Sequence, residues 1–517
     1  MKMKKIVSFL LCLCLVLAGC VGCRWSKGGD LPHDSSNIKT RSGAVYEIYV
    51  ASFNDSDGDQ VGDLNGIKEK LEYLHTLGVE YIWLMPIHPS HSYHKYDVDD
   101  YMAIDPAYGT MDDFRGLIKA AEAYGIKIIM DMVINHTSSH HPWFQQALAE
   151  AMKGKMDGKA EFYNFSNKPI RKSTKVKDGL YYESAFVSEM PDLNLGNPQV
   201  KAELEKIAAF YLKMGVAGFR LDAALHYFGT DNKANIAFLK WYGDMCRKYR
   251  PDVYLTAEVW SDSATVESYY ASGVDSFFNF ALSEGKGLFA RAINAGRGAD
   301  LAKYLADYDA SIHKLNPQAL NAVYLSNHDQ GRSAGFLPEL AKNKLAEAMY
   351  IWLPGRPYLY YGEEVRLKGS GKDENKRTYM PWNASTKVKN PVGTDYDQAK
   401  QVTETVEAAV ANPDSLLNYI EELLAVRNSY PWLERGVPTA VPADERLLVL
   451  EVNGRNGEGR AVIVHNLSAD MVEFSPSGEH LRPAKLMNKA DKFNHGCLQL
   501  APYSSAFLVE VSGEGKK

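Results

Sequence analysis

Cysteine is scarce in this chain and poorly placed for cross-linking. Of six cysteines in 517 residues, Cys12, Cys14, Cys20 and Cys23 lie in or beside the N-terminal segment, and only Cys246 and Cys497 remain in the body. That distribution implies no disulfide framework. A surplus of charge is also missing: 58 Lys and Arg against 64 Asp and Glu leave −6, with a pI near 6.2. Such a balance gives no global attraction to nucleic acid or to an anionic membrane surface. The apolar run from Ile6 to Leu17 falls short of the about 20 residues a spanning helix needs. Low-complexity tracts are absent too. What is left is an ordinary globular composition, 45% hydrophobic and 24% charged, in a chain long enough for one large core plus a smaller domain.

The first residues read as an address. Lys2, Lys4 and Lys5 precede the Ile6–Leu17 run, the layout of a signal-peptide core. The run ends in Leu17-Ala18-Gly19-Cys20, which resembles the cleavage and lipidation box of bacterial lipoproteins. The resemblance implies removal of residues 1–19, acylation of Cys20, and export to a membrane-anchored position at the cell surface or in the periplasm. Residues 20–41 read as a flexible tether.

From Gly43 onward, short apolar runs alternate with helix-period segments, the signature of repeated βα units. The strands are expected at Val45–Phe53, Tyr81–Ile87, Ile126–Ile134, Gly218–Asp222, Val253–Glu258, Ser276–Asn279, Ala322–Ser326 and Pro357–Tyr360. Helices are expected at Leu64–Leu77, Met111–Tyr124, Pro198–Met214 and Asp414–Arg427. Eight such units predict a (β/α)8 TIM barrel over 42–136 and 198–436. The rhythm breaks over 137–197, which is polar, Gly- and Lys-rich and without a clear βα unit. This stretch is expected to be a small inserted domain walling one side of a site. After Pro431 the period changes to two, with turns at Asn453-Gly454 and Asn456-Gly457. Residues 437–517 are therefore read as an antiparallel β-sandwich domain.

Several strands end in chemistry. The fourth runs into Arg220, Asp222 and His226, the fifth into Glu258 followed by Val259 and Trp260, and the seventh into Asn327, His328 and Asp329; the third ends Asp131-Met132-Val133-Ile134-Asn135-His136. Acids at the C-terminal ends of barrel strands are the usual seat of catalysis in this architecture. An Arg two residues before Asp222 favours its ionised form, and apolar surroundings raise a Glu toward the range of a general acid. Three strand-end acids on one rim fit chemistry better than three separate structural ion pairs.

Together, Asp131–His136, Gly218–His226, Thr256–Trp260 and Ser326–Gln330 resemble, in order, the short conserved regions of the α-amylase family, glycoside hydrolase family 13. Gly78–Pro86, Tyr96–Tyr101, Tyr108–Thr110 and Pro357–Glu363 add to the likeness. It implies Asp222 as nucleophile, Glu258 as acid/base and Asp329 as the carboxylate that steadies the strained ring. It also implies substrate contacts from Tyr96, Asp97, His136, Arg220, His328 and Arg332. Retaining hydrolysis needs two carboxyls about 5–5.5 Å apart, one forming a covalent glycosyl intermediate, the other protonating the leaving oxygen and then activating water.

Met190-Pro191-Asp192-Leu193-Asn194 resembles the fifth region of a group between oligo-1,6-glucosidases and neopullulanases that includes α-amylases. Leu225, where many α-amylases carry Lys, leaves the leaving-group side undefined. The expected activity is that of an α-amylase on starch, glycogen and maltooligosaccharides. A neopullulanase, cyclomaltodextrinase or α-glucosidase of the same family is the alternative, and a surface glycan-binding lipoprotein without turnover the rival of another class. A monomer with an α-glucan substrate, a membrane anchor and no nucleic acid is expected.

The loop Asp55–Asp63 sets carboxylates at alternate positions around Gly58, a hard-oxygen arrangement that suits Ca2+. An EF-hand is excluded by Gln60 at its sixth position, by Gly66 at its twelfth and by a preceding strand. The loop resembles the cation site after strand one in relatives of oligo-1,6-glucosidase. That likeness implies Ca2+ on Asp55, Asp57, Asp59, Asp63 and the Val61 carbonyl. The α-amylase pattern implies a second Ca2+ near Asn135, Asp192 and the His226 carbonyl.

Overall fold

The computed structural model describes residues 42–170, 172–395, 404–478 and 480–511. The signal segment, the tether and Cys20 lie outside these residues. Eight strands form a closed parallel barrel: β1 (Val45–Ile48), β2 (Tyr81–Leu84), β3 (Lys127–Met132), β4 (Gly218–Leu221), β5 (Tyr254–Ala257), β6 (Ser276–Phe278), β7 (Leu320–Tyr324) and β8 (Arg356–Tyr360). Each pairs with its sequence neighbours, and β1 closes on β8 through Val45 opposite Tyr358 and Glu47 opposite Tyr360. Most of the strands are shorter than the apolar runs that announced them. The run in strand three continues to Ile134, for instance, but pairing stops at Met132, so Asn135 and His136 sit in the loop above.

Strand alternation explains why both faces are apolar. Val45, Trp83, Ile129, Phe278, Ala322 and Tyr358 point into the barrel and fill it, while Tyr46, Ile48, Ile82 and Leu84 pack beneath the helices. A plugged barrel leaves chemistry to its C-terminal rim.

The helix expected at Leu64–Leu77 is two helices, Leu64–Glu69 and Leu71–Leu77, separated at Lys70. The Asp63 carboxylate caps the first by accepting the Gly66 N–H at 2.7 Å, so this acid also fixes where the loop after β1 ends. Pro198–Met214 forms as read, with Asn197 as its cap, Pro198 in the first turn and left-handed Gly215 (φ 115°) at its end. The segment between β3 and β4 is more regular than its composition indicated. It contains the helix Pro142–Met152, which His141 caps and Pro142 opens, and a three-stranded antiparallel sheet in the order Phe165–Ser166, Leu180–Glu183, Ser173–Lys177. Polar and Lys residues on the exposed faces of that short hairpin hid its period.

Beyond the helix Leu416–Ser429, strands of period two build a five-stranded sheet and a three-stranded sheet. Along Leu447–Asn453, Leu447 and Val449 face the core between these sheets, while Leu448, Leu450 and Val452 join the core of the barrel domain. One strand thus serves two interfaces. Cys246 and Cys497 are both free. Among the described residues no helix is long and apolar enough to cross a membrane.

Candidate active site

Arg220 is the hub of the rim. It lies two residues before Asp222 on β4, so alternation points both side chains the same way. Its Nη1 donates to Asp222 Oδ1 at 2.5 Å and to Asp131 Oδ1 at 3.0 Å, and its Nη2 to Glu258 Oε2 at 2.9 Å. Three acids from β3, β4 and β5 therefore meet on one buried guanidinium. Burial raises the pKa of Asp222 and of Glu258, and Arg220 pulls both back. Burial likewise pushes Asp131 up to about 7 against the same cation. Glu258 takes a second donor, the Ala223 N–H at 3.0 Å, on the oxygen that Arg220 holds. Its other oxygen is left to carry a proton.

Asp329 completes the group from the loop after β7. Its Oδ1 accepts from Arg377 Nη2 at 2.8 Å, and its Oδ2 lies 3.0 Å from His328 Nε2. Against the upward push of burial, the His328 and Arg377 cations hold Asp329 far below the ordinary carboxylate range. The Tyr96 hydroxyl joins the two halves of the site. It lies 2.7 Å from His328 Nε2 and donates to Asp131 Oδ2 at 3.1 Å, with its ring stacked on the His328 imidazole at 5.6 Å. Asp222, Glu258 and Asp329 are thereby linked through Arg220, Asp131, Tyr96 and His328 into one network.

Other sequence-predicted residues sit differently. His136 is buried, which lowers its pKa to about 4; its Nε2 is 3.0 Å from the Tyr96 carbonyl and its Nδ1 is 3.3 Å from Asn135 Nδ2. Both ring nitrogens are thus engaged within the protein. Asp97 is buried behind Tyr96, where it accepts from the Ser90 hydroxyl at 2.6 Å and from the Ser92 hydroxyl. Arg332 does not reach the acids. It is fully buried over the Tyr360 and Tyr361 rings and donates to the Lys376 and Tyr361 carbonyls.

Four participants carried no sequence signal. Arg377 lies in a polar run after β8 with nothing to mark it, and Glu47 reads as one polar residue within an apolar strand. Phe186, 47% exposed, stands edge-on to both His136 and His226 at 5.3 Å. Phe280 stacks at 5.0 Å on Trp260, which is itself 49% exposed beside the rim.

In the loop after β1, Asp55, Asp57 and Asp63 bring carboxylate oxygens within 4.8 Å of one another. Asp59 is not in this trio; its Oδ1 accepts the Val61 N–H at 2.7 Å. The trio offers hard oxygen donors that fit Ca2+. At the second expected site, Asn135 turns an N–H toward Asp192 Oδ1 (3.3 Å), and the His226 carbonyl accepts the Gly229 N–H at 3.0 Å.

A parallel barrel with linked acids on the ends of β4 and β5 and after β7 defines an enzyme that acts on glycosidic bonds. The chain belongs to the α-amylase family: the description "Alpha amylase, catalytic domain" matches residues 47–436. "Alpha-amylase 3" of Dictyoglomus thermophilum is 36% identical over 477 residues, covering 90% of this chain and 93% of that protein. A 4-alpha-glucanotransferase of Thermotoga neapolitana is 32% identical over 454 residues, with 83% and 96% covered. The solved structure of Eubacterium rectale Amy13B aligns with a TM-score of 0.87 at 35% identity, covering 91% of this chain and 96% of that one.

Proposed function

We propose that the protein is an α-amylase that cleaves internal α-1,4-glucosidic bonds of starch, glycogen and maltooligosaccharides with retention. The observation that supports this most is the sharing of one guanidinium by Asp222 and Glu258, which keeps two carboxyls of different duty side by side. Asp222, held in charge by its 2.5 Å contact with Arg220, attacks the anomeric carbon. Glu258 gives its proton to the leaving oxygen as that bond breaks. Water then enters, Glu258 removes its proton, and attack on the anomeric carbon frees Asp222. Asp329, kept anionic by His328 and Arg377, faces the positive charge that grows on the sugar ring. Release of reducing ends from soluble starch with an α-configured first product is the expected result; no release would overturn the reading. Product sizes from starch, pullulan and panose separate it from a neopullulanase, an α-glucosidase and a glucanotransferase.

The trio Asp55, Asp57 and Asp63 would hold Ca2+, whose contribution is to neutralise the loop and brace the start of the helix at Leu64. The N-terminal pattern supports export with an acyl anchor on Cys20. Cys20→Ser is expected to move the protein from the membrane fraction to the soluble one, and unchanged fractionation would remove the anchor.

A further inference from the structure

His328 can balance Asp329 only while its ring is charged. Alternation along β1 puts Glu47 on the same side as Val45, inside the barrel. At the rim it is buried, and its Oε1 lies 2.5 Å from His328 Nδ1. On the other side of the ring, Nε2 meets Asp329 Oδ2 at 3.0 Å and the Tyr96 hydroxyl at 2.7 Å. A neutral imidazole donates from one nitrogen and accepts at the other, whereas an ionised carboxylate can only accept. The Tyr96 hydroxyl gives its single proton to Asp131 Oδ2, so Nε2 faces only acceptors, and a ring with an acceptor at each nitrogen satisfies both only when it carries both protons.

We propose that Glu47 is a positioning residue that locks His328 as a doubly protonated imidazolium and, through it, keeps Asp329 anionic and aimed at the cleft. The proposal rests on the glycosidase reading only for what Asp329 does; the locking itself is a property of the resting protein.

The surroundings of the ring are consistent with this. Glu47 enters from β1, Trp83 from β2 sets its indole edge-on to the ring at 5.6 Å, and Arg377 donates to the His328 carbonyl at 3.1 Å. The charges of Asp131 and Asp222 also act on the ring from β3 and the end of β4, with Arg220 between them. From β7 and β8, Tyr324 and Tyr360 feel the Glu47 charge, which raises both phenols further. Burial works against a charged imidazole, yet Asp329 and Glu47 together lift His328 to about 9. Asp329 alone is the competing account, and it separates cleanly from ours. Glutamine at position 47 keeps the shape and offers an amide N–H to a bare Nδ1, so it permits the neutral ring that Glu47 forbids.

The test is Glu47→Gln, with His328 followed by nitrogen-15 histidine spectra. Its signal among the 14 histidines is the one that disappears in His328→Gln. In the wild type both ring nitrogens are expected to remain protonated through pH 8. In Glu47→Gln the ring is expected to become neutral roughly 1–3 pH units lower, the range by which a close opposite charge moves a pKa. The alkaline limb of kcat/KM on a defined maltooligosaccharide should follow it downward, with KM changing less than kcat. Glu47→Asp, which retains the charge, should restore the wild-type limb. A folded Glu47→Gln whose His328 stays doubly protonated at pH 8 overturns the proposal, as does a limb that does not move while the ring has become neutral. Should Glu47→Gln fail to fold, the wild-type spectrum decides: a neutral His328 at pH 7 overturns the lock, and a cation through pH 8 sustains it. Because the spectra need no substrate, a protein inactive on every glucan but cationic at His328 would defeat the glycosidase reading and leave this one standing.

Discussion

Two groups of acids in the barrel domain behave in opposite ways. Asp131, Asp222, Glu258 and Asp329 stand on the rim, buried or nearly so, and each is paired with an internal cation, Arg220, His328 or Arg377. Asp55, Asp57 and Asp59 lie on the surface after β1 with Asp63 buried beneath them, and among the described residues no ion pair involves any of the four. Their oxygens take backbone N–H groups instead; burial pushes the Asp55 pKa up, but the N–H groups of Gly58, Gln60 and Asp57 together hold it below its ordinary value. Where the chain supplies the balancing charge, protonation is poised for proton transfer. Where it supplies none, three carboxylates within 4.8 Å are left to be neutralised from solution.

The largest effect that follows is on turnover. Asp222→Asn removes the attacking oxygen but keeps an acceptor for Arg220, so activity on maltooligosaccharides should fall by about 10^4-fold with an unaltered melting curve. A rate within tenfold of wild type would erase the distinction between the two acid groups. Arg220→Met is the next most severe change, and it acts on stability. It leaves three buried acids without their shared cation, and breaking a buried pair from one side costs about 3–5 kcal/mol. Urea denaturation reads this directly; a loss below about 1 kcal/mol would mean that the rim acids are balanced by something other than Arg220.

How much of this was legible in the sequence depends on where each signal resides. The barrel was readable because each parallel strand is buried on both faces and so prints a continuous apolar run, and strand ends could be placed to within a few residues. The acids at Asp222, Glu258 and Asp329 were readable because each directly follows such a run. Arg377 was not, since its role depends on a loop after β8 folding back over the rim, a contact with Asp329 across 48 residues that no local pattern encodes. Arg332 misled for the converse reason: it follows Asp329 by three positions, yet the short helix Ser333–Phe336 that begins beside it accompanies a side chain turned inward onto Tyr360 and Tyr361. His136 occupies the expected loop but spends both nitrogens on Tyr96 and Asn135, which only the packing of neighbouring loops could reveal.

The surface group should respond to a reagent to which the rim is indifferent. Chelation is expected to lower the melting temperature by about 3–5 °C, because a ligand at 100 times its Kd stabilises the fold by about 2.7 kcal/mol, and a chain about twice the 150–250 residues that shift by about 2–4 °C per kcal/mol shifts by about 1–2 °C. Asp57→Asn should abolish that response. An unchanged wild-type curve in metal-free buffer would show that the loop is neutralised by its own backbone alone.

The smallest effect is the most discriminating. Alternation along Asp55–Asp63 makes Asp57 and Asp59 equivalent, so a site built on all four acids predicts that either substitution weakens metal binding alike. The folded loop separates them. Both accept the N–H two residues on, Asp57 from Asp59 and Asp59 from Val61, but only Asp57 brings a carboxylate oxygen together with Asp55 and Asp63. Asp59→Asn keeps that acceptor and removes only a charge. Its chelation-induced drop should therefore match the wild type to within about 1 °C, the residue of screened repulsion between exposed carboxylates, while Asp57→Asn loses the drop altogether. Equal loss in both variants would place Asp59 among the ligands and make the alternating pattern, rather than the trio, the correct description of the site.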